Sequence, residues 1–504
     1  MRPRDPLRSA AWMAVAIAGG LLASVLVDRT GLEPRFLVTP AASALVLAAL
    51  FWFQPAEGVG SFLLVSLVAL TLQHWLHLDL RLLDEMTVAS FGAVGLVRHG
   101  FPNGRFHIGI KEGALAVFIV TGVASSLVAL VPVSTWVPAL VLVLKAIALF
   151  YVVSWLRLTA VDVQRVGLVI VSVALLIAAL GFVELVSPTG FQRALDLPPF
   201  TSIRGDLPVV KSIFLQPALL AWLTVFLRLL LYARFIVTRR WWLLPIALAL
   251  NVLTIFTGRR TSLIGVVVAL LVAAIWQLRH VPNLGKALGV WIPVVTGLAI
   301  VAVVFLSSFS TLFDDSLREY SAPPQLIADV LGPHPNADAI AAMPPRIALY
   351  VASVAIARDE FPFGAGLGRF GSEMSRVAYS PVYERYGLTK VRGLAADDSG
   401  SITDTFWPTI LGETGVVGLG AFGLFIAALL AELWRFARGS WPPQVATLAL
   451  VALLVFAESI VASLTSQVFV APPIAYFVFG VAGAACAVQA GLLHPPPVAS
   501  GAAA

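Results

Sequence analysis

Charge is what this sequence has least of. Asp, Glu, Lys and Arg make up only 12% of its 504 residues, against about a quarter in a water-soluble domain. A chain so poor in ions cannot coat a soluble surface, which excludes an ordinary cytosolic or secreted globular protein. Cysteine is almost absent as well: Cys486 is the only one, and it lies in an apolar run. A disulfide framework and a thiolate metal site are thereby excluded. The 7 histidines are dispersed and lack metal-ligand spacing, and no internal repeat is visible. Neither a metal nor a cofactor is expected. The one low-complexity piece is the Pro/Ala-rich tail after His494, expected to be disordered.

What the sequence does have is apolar length. It is 59% hydrophobic, with a mean hydropathy of +0.93. A membrane span needs about 20 mostly apolar residues. That ruler places helices near 10–27, 36–53, 58–76, 113–132, 137–156, 166–187, 213–232, 241–257, 261–278, 288–307, 406–434, 444–464 and 467–491. A shorter one, 82–97, opens on Asp84-Glu85 and is the weakest of the set. The first run follows Arg2, Arg4 and Arg8 but lacks a small-x-small cleavage site, so it reads as an uncleaved first helix. The expected fold is all-α, a polytopic bundle of about 12–14 transmembrane helices with one large extracytoplasmic loop. The chain divides into N-terminal spans (1–200), further spans (201–307), the loop (308–405), C-terminal spans (406–491) and the tail (492–504).

The net charge of +6 does not point to nucleic acid, because the basic residues cluster in short linkers between apolar runs. With a cytoplasmic N-terminus, Arg98, Arg105 and Lys111 share one side with Arg157 and Arg165, with Arg234, Arg239 and Arg240, with Arg279 and Lys286, and with Arg435 and Arg438. That is the positive-inside arrangement, and it needs span 82–97 to keep its parity. The C-terminus is then cytoplasmic too. The 308–404 segment, the 187–212 linker and the tip Gly258-Arg259-Arg260 all face outward.

Arg259 and Arg260 therefore sit on the side that the charge rule keeps clear. Snorkelling towards headgroups is the ordinary use of such a pair. On this side they suit an anionic partner instead, since guanidinium forks match phosphate oxygens. Arg204 and Lys211 lie in another outward linker, where plain loop charges are the simpler reading. Arg346 opens an amphipathic pattern in which Ile347, Tyr350, Val351, Val354 and Ala355 share a face and Pro362 ends the helix. This helix is expected to lie on the membrane surface. An arginine at a helix's positive end is electrostatically misplaced, which favours a bridging role over plain solvation. Gly364-Ala365-Gly366-Leu367-Gly368 looks like a phosphate-cradling turn but lacks the strand and the Lys-Ser/Thr of one, so tight-turn glycines are the better reading. Asp404 precedes the post-loop helix as an N-cap would, and Glu413 follows in its first turns. His334 lies between two prolines in the loop. Lys145 and Glu458 fall within spans, where a lone charge costs about 2.5–3.5 kcal/mol; they are expected to pair with each other.

Three segments resemble the bacterial O-antigen ligase and polymerase superfamily. Phe256-Thr257-Gly258-Arg259-Arg260-Thr261-Ser262-Leu263 is similar to its small-Ser-Arg-Gly segment. Arg346 with Pro362-Phe363-Gly364-Ala365-Gly366-Leu367-Gly368-Arg369-Phe370 resembles its Arg … Pro-x-Gly-x-Gly-x-Gly-x-Phe stretch. Asp404-Thr405-Phe406 through Leu411-Gly412-Glu413-Thr414-Gly415-Val416-Val417-Gly418 resembles its His-Asn … Leu-x-Glu-x-Gly-x-x-Gly segment. Arg204 … Phe214-x-Gln216-Pro217 is a weaker fourth match to Arg … Phe-x-x-Pro-Asn. Together they cover roughly residues 200 to 430. The sequence departs at Arg259 and Thr261, where the family has Ser and Gly, at Ala218 in place of Asn, and at Asp404-Thr405 in place of His-Asn.

The resemblance implies transfer of a glycan from an undecaprenyl-diphosphate carrier to an acceptor hydroxyl on the outer face of the bacterial inner membrane. Arg260 and Arg346 would stabilise the departing diphosphate, with Arg204, Arg259 or Lys211 assisting. Asp404 would be the base, with Glu413 and His334 in reserve. Because the histidine associated with ligase activity is replaced, the expectation is a polymerase of O-antigen or exopolysaccharide rather than a ligase acting on lipid A core. Its partners would be the lipid-linked oligosaccharide, a glycan or lipid acceptor, the bilayer, and a chain-length regulator protein. A polysaccharide or lipid transporter working through Lys145 and Glu458 is the rival of a different class, and a non-catalytic assembly scaffold is a third.

Overall fold

In the computed structural model the described residues are 35–80, 82–99, 109–198, 203–204, 207–259, 261–280, 340 and 343–493. The expected spans 10–27 and 288–307, the polar stretch with Asp314, Asp315, Arg318 and His334, the single residue Arg260 and the tail lie outside them.

The described chain is built from helices: α1 (Arg35–Phe53), α2 (Pro55–Leu76), α3 (Leu83–His99), α4 (Ile110–Val128), α5 (Val133–Ser154), α6 (Ala160–Val186), the short α7 (Pro188–Ala194), α8 (Pro217–Thr238), α9 (Leu243–Phe256), α10 (Thr261–His280), α11 (Pro345–Asp359), the short α12 (Glu373–Val377) and α13 (Val382–Arg385), α14 (Trp407–Ala437), α15 (Pro443–Ala462) and α16 (Ile474–Leu493). Eight of them are long and apolar enough to cross a membrane: α2, α4, α5, α6, α8, α14, α15 and α16. Apolar stretches of α1, α9 and α10 are shorter. The only strands among the described residues are β1 (Ile203–Arg204) and β2 (Leu207–Pro208), an antiparallel pair in the linker before α8.

The helix starts follow local chemistry. Proline opens α2, α8, α11 and α15, where its missing N–H costs nothing and its fixed φ suits the first turn. Thr159 and Asp162 form a capping box at α6. The expected span 467–491 begins only at Ile474, because Pro472 and Pro473 cannot continue a helix from Gln467.

The weak span 82–97 is a helix, α3, and the reason for its weakness is structural. Lys145 of α5 donates to Asp84 at 2.8 Å and to Glu85 at 2.7 Å, and the Tyr476 hydroxyl of α16 donates to Asp84 at 2.8 Å. The two acids are thus counter-ions for a lysine placed inside the bundle. The expected Lys145–Glu458 pair is therefore corrected: the opposite charge that Glu458 feels is Arg228 of α8. Lys145 lies on the α3 and α16 side of α5, and α15 approaches α8 and α10.

Alternation of the helices gives the bundle two ends. At one, Lys111 at the start of α4 bonds Glu432 in the last turns of α14 at 2.7 Å, Trp276 donates to Ala437, and Arg165 meets Glu57. At the other, Trp75 and His74 contact the backbone of Leu195 and Asp196. Residues 343–406 fold as a compact cap at this second end, with their own core of Leu349, Ile356, Phe370, Tyr383, Leu388 and Ile402.

Candidate functional site

The cap sits on the bundle through its glycine run. Ala365 N donates to Gly412 O at 2.8 Å and Gly366 N to Glu413 O at 3.0 Å. Such backbone-to-backbone contact leaves no room for side chains. A Cβ on Gly364 would lie 2.7 Å from Gly412 O, and one on Gly415 would lie 2.1 Å from Pro362 O. Gly415, at φ +67°, also breaks α14 into a short piece at the capped end and a long one through the bundle, a conformation that glycine adopts without penalty. Ser125 and Ser126 at the end of α4 complete the seam, bonding Glu413 O at 2.7 Å and Leu367 N at 3.0 Å. The glycines serve a tight backbone approach, as the sequence indicates.

Glu413 is built into that seam. It is 2% exposed, and its carboxylate accepts from Phe370 N at 3.1 Å and from the Ser372 hydroxyl at 2.6 Å. The geometry gives it the task of holding the Gly368–Ser372 turn.

Arg346 and Asp404, 58 residues apart in the numbering, are brought together. Arg346 sits in the first turn of α11, after the cap position Pro344. Its Nη2 lies 3.3 Å from Asp404 Oδ2, with the two side chains 16% and 32% exposed, so a ligand can reach both. Asp404 is not the helix N-cap that its position suggests. The cap of α14 is Phe406, without a side-chain cap bond, and the Asp404 carboxylate turns to the guanidinium instead. The α11 helix has a protein neighbour. It packs against α14 and buries Ala348, Leu349, Ala352, Ala355 and Ile356, while Val354 of the expected apolar stripe is 47% exposed.

A platform from the α15–α16 turn supports this pair. Phe406 N donates to Ser463 O at 3.4 Å, Trp407 Nε1 to Ser463 Oγ at 2.8 Å, and the Tyr350 hydroxyl to Leu464 O at 2.8 Å. Burial pushes the Tyr350 hydroxyl up to about 12, so it keeps the proton that it donates to the Leu464 carbonyl. Neither Tyr350 nor Ser463 stands out in sequence, since both act through their position on a folded surface.

The tip bearing Arg259 belongs to the same end. Gly265 of α10 packs on Glu458 of α15, and each lies one turn before the outer end of its helix, or about 6 Å. The start of α10 thus lies at the same end of the bundle as the end of α15 and Ser463. Arg259 is half-buried there, and Arg260, between it and α10, is outside the described residues. Val210 N donates to Phe256 O at 2.9 Å, which brings the Lys211 linker to this tip. Lys211 itself is 0% exposed, and its ammonium donates to Pro198 O at 2.6 Å. Burial lowers its pKa against the opposing pull of Glu184. Glu184 organises the linker, accepting from Lys211 N at 2.8 Å, Ser212 N at 2.6 Å and Gln192 Nε2 at 2.9 Å. Arg204 is placed in β1 by its backbone.

Among the described residues no group of three or more His, Cys, Asp or Glu side chains is arranged to hold a metal ion. No protein-family model matches the chain, and no curated protein matches it in sequence.

Proposed function

We propose that this protein is a membrane glycosyltransferase that joins undecaprenyl-diphosphate-linked oligosaccharide repeat units on the outer face of a bacterial inner membrane. The cap then faces outward and both termini are cytoplasmic. The observation that carries this reading is the Arg346–Asp404 pair, a permanent cation touching a carboxylate at a half-open site on the capped end of an apolar bundle.

The chemistry asks for little more. A diphosphate is already a good leaving group, and it needs charge stabilisation as the glycosidic bond breaks, which fixed guanidinium groups supply best in a partly dry site. In the proposed step the acceptor hydroxyl attacks the anomeric carbon as the bond to the diphosphate oxygen breaks. The electron pair leaves with undecaprenyl diphosphate, and Asp404 takes the hydroxyl proton. Arg346 receives the diphosphate, with the Arg259–Arg260 tip as the second cation source. A single displacement inverts the anomeric centre.

Purified protein mixed with a lipid-diphosphate oligosaccharide tests the reading. Longer carrier-linked chains are expected without added nucleotide or metal. Failure to elongate by a well-folded preparation, or product sugars with retained configuration, rejects it. Transfer to lipid A core but not to a second lipid-linked unit would make the protein a ligase instead.

A further inference from the structure

A second polar cluster lies between α8, α9, α10 and α15, within the apolar part of the bundle and apart from the Arg346–Asp404 site. At its centre is Arg228, midway along α8 and 0% exposed. Its Nε donates to Thr224 O at 3.3 Å, and its Nη1 to Asn251 Oδ1 of α9. Asn251 passes the chain on, donating through Nδ2 to the Tyr232 hydroxyl at 3.1 Å. The Thr224 and Thr254 hydroxyls share a hydrogen bond of 2.7 Å beside it. The second arm of the guanidinium, Nη2, is buried and has no acceptor among the described residues.

Its opposite charge is on α15. Glu458 is 2% exposed and interacts electrostatically with Arg228, yet it is not a hydrogen-bond partner of the guanidinium. Room for its carboxylate comes from α10, where a Cβ on Gly265 would lie 2.9 Å from both Cγ and Oε1 of Glu458. A buried donor arm and a buried carboxylate of opposite charge thus share the meeting of three helices without a hydrogen bond between them.

Buried charges left without hydrogen bonds are strongly unfavourable, and a polar gap with two to four partners is where internal water binds. We propose that Arg228 and Glu458 form a binding site for a single water molecule inside the membrane-embedded bundle. The water oxygen accepts a hydrogen from Nη2, and one water hydrogen is donated to a Glu458 carboxylate oxygen. Both side chains stay ionised, and the bridge ties α8 to α15 while α10 closes over it at Gly265. A water bridge serves enthalpically almost as well as a direct contact. It also lets these three helices keep a spacing that a direct ion pair would collapse.

The test uses the intact protein in lipid nanodiscs and X-ray hydroxyl-radical footprinting, in which bound water generates the modifying radical in place. Tyr232, two hydrogen bonds from the guanidinium, is 1% exposed and Tyr383 of the cap is 0% exposed. Tyr383 is fully engaged by Gly371 N and Ser375 Oγ, both at 2.8 Å, and serves as the dry comparison. Tyr232 should be modified several-fold faster than Tyr383, and Glu458→Leu should abolish the difference. Equal, slow modification of both tyrosines in the native protein overturns the proposal. Infrared difference spectra of native protein against Glu458→Gln provide a second readout. Loss of a carboxylate band supports the ionised bridge, and loss of a protonated-acid carbonyl band overturns it.

Discussion

Arg346 and Asp404 are the residues on which the functional reading turns, and their pairing sets what substitution should do. Replacing Arg346 by Glu reverses the charge where a diphosphate would sit, and cells carrying it should make no full-length polymer; wild-type chain length in that strain ends the catalytic reading. Arg346→Lys keeps a charge but loses the bidentate fork, so it should retain partial turnover. Asp404→Asn removes the proposed base and should slow chain elongation by about 10²–10⁴-fold. The same substitution frees Arg346 from an internal competitor. A half-exposed ion pair is worth about 0.2–1 kcal/mol, so pyrophosphate should bind the Asn variant up to about fivefold more tightly than wild type. Titration by isothermal calorimetry checks this, and weaker binding would show that the carboxylate helps to build the anion site. Arg346 and Asp404 were legible as separate charges near helix starts. Their contact was not, because Asp404 fits the local pattern of an N-cap and only the packing of α11 on α14 turns it aside. Glu413 shows the opposite limit: its motif position is plain in the sequence, but its engagement with Phe370 N and Ser372 depends on a turn that the sequence cannot place.

At the level of single elements, α3 and α14 show how local rules are overridden. Asp84 and Glu85 make α3 a poor membrane segment by hydropathy, yet they are what lets α5 carry Lys145. Lys145→Met should therefore lower stability by about 3 kcal/mol, by stranding two carboxylates. Adding Asp84→Asn and Glu85→Gln should recover most of the loss in a detergent melting experiment. Arg228, equally central in its helix, gave the same signal in sequence as Lys145: a charge midway along an apolar run. Its partners were hidden because those beyond its own helix come from two others, α9 and α15. In α14, Gly415→Ala would force a side chain into the space of Pro362 O at positive φ, costing roughly 2–4 kcal/mol. Gly420→Ala, with nothing within 4 Å of the new Cβ, should melt like wild type.

Across the whole molecule, the apolar runs forecast the helices well and their edges less well. Hydropathy reports burial in lipid but not where proline or a turn stops a helix, so 467–491 became Ile474–Leu493. The expected stripe of α11 is buried at Val351 and Ala355 but not at Val354, because half of the buried face is alanine, whose weak hydropathy marks it poorly in sequence. The proposed orientation rests on the Lys and Arg clusters alone and is directly measurable. Cys486 is buried, so a cysteine at the exposed position Ala396 would be the one reactive thiol. A membrane-impermeant maleimide should label Ala396→Cys in intact spheroplasts, and labelling only after lysis would reverse the topology.

The seam between the glycine run and the break at Gly415 also decides which parts of the molecule are held to one another. Main-chain bonds and a buried carboxylate stitch the cap to the short piece of α14, and serines of α4 lock the same joint. The α15–α16 turn is tied in as well through Ser463, Leu464 and Gln467, so a displacement of any one of these three segments strains hydrogen bonds to the other two.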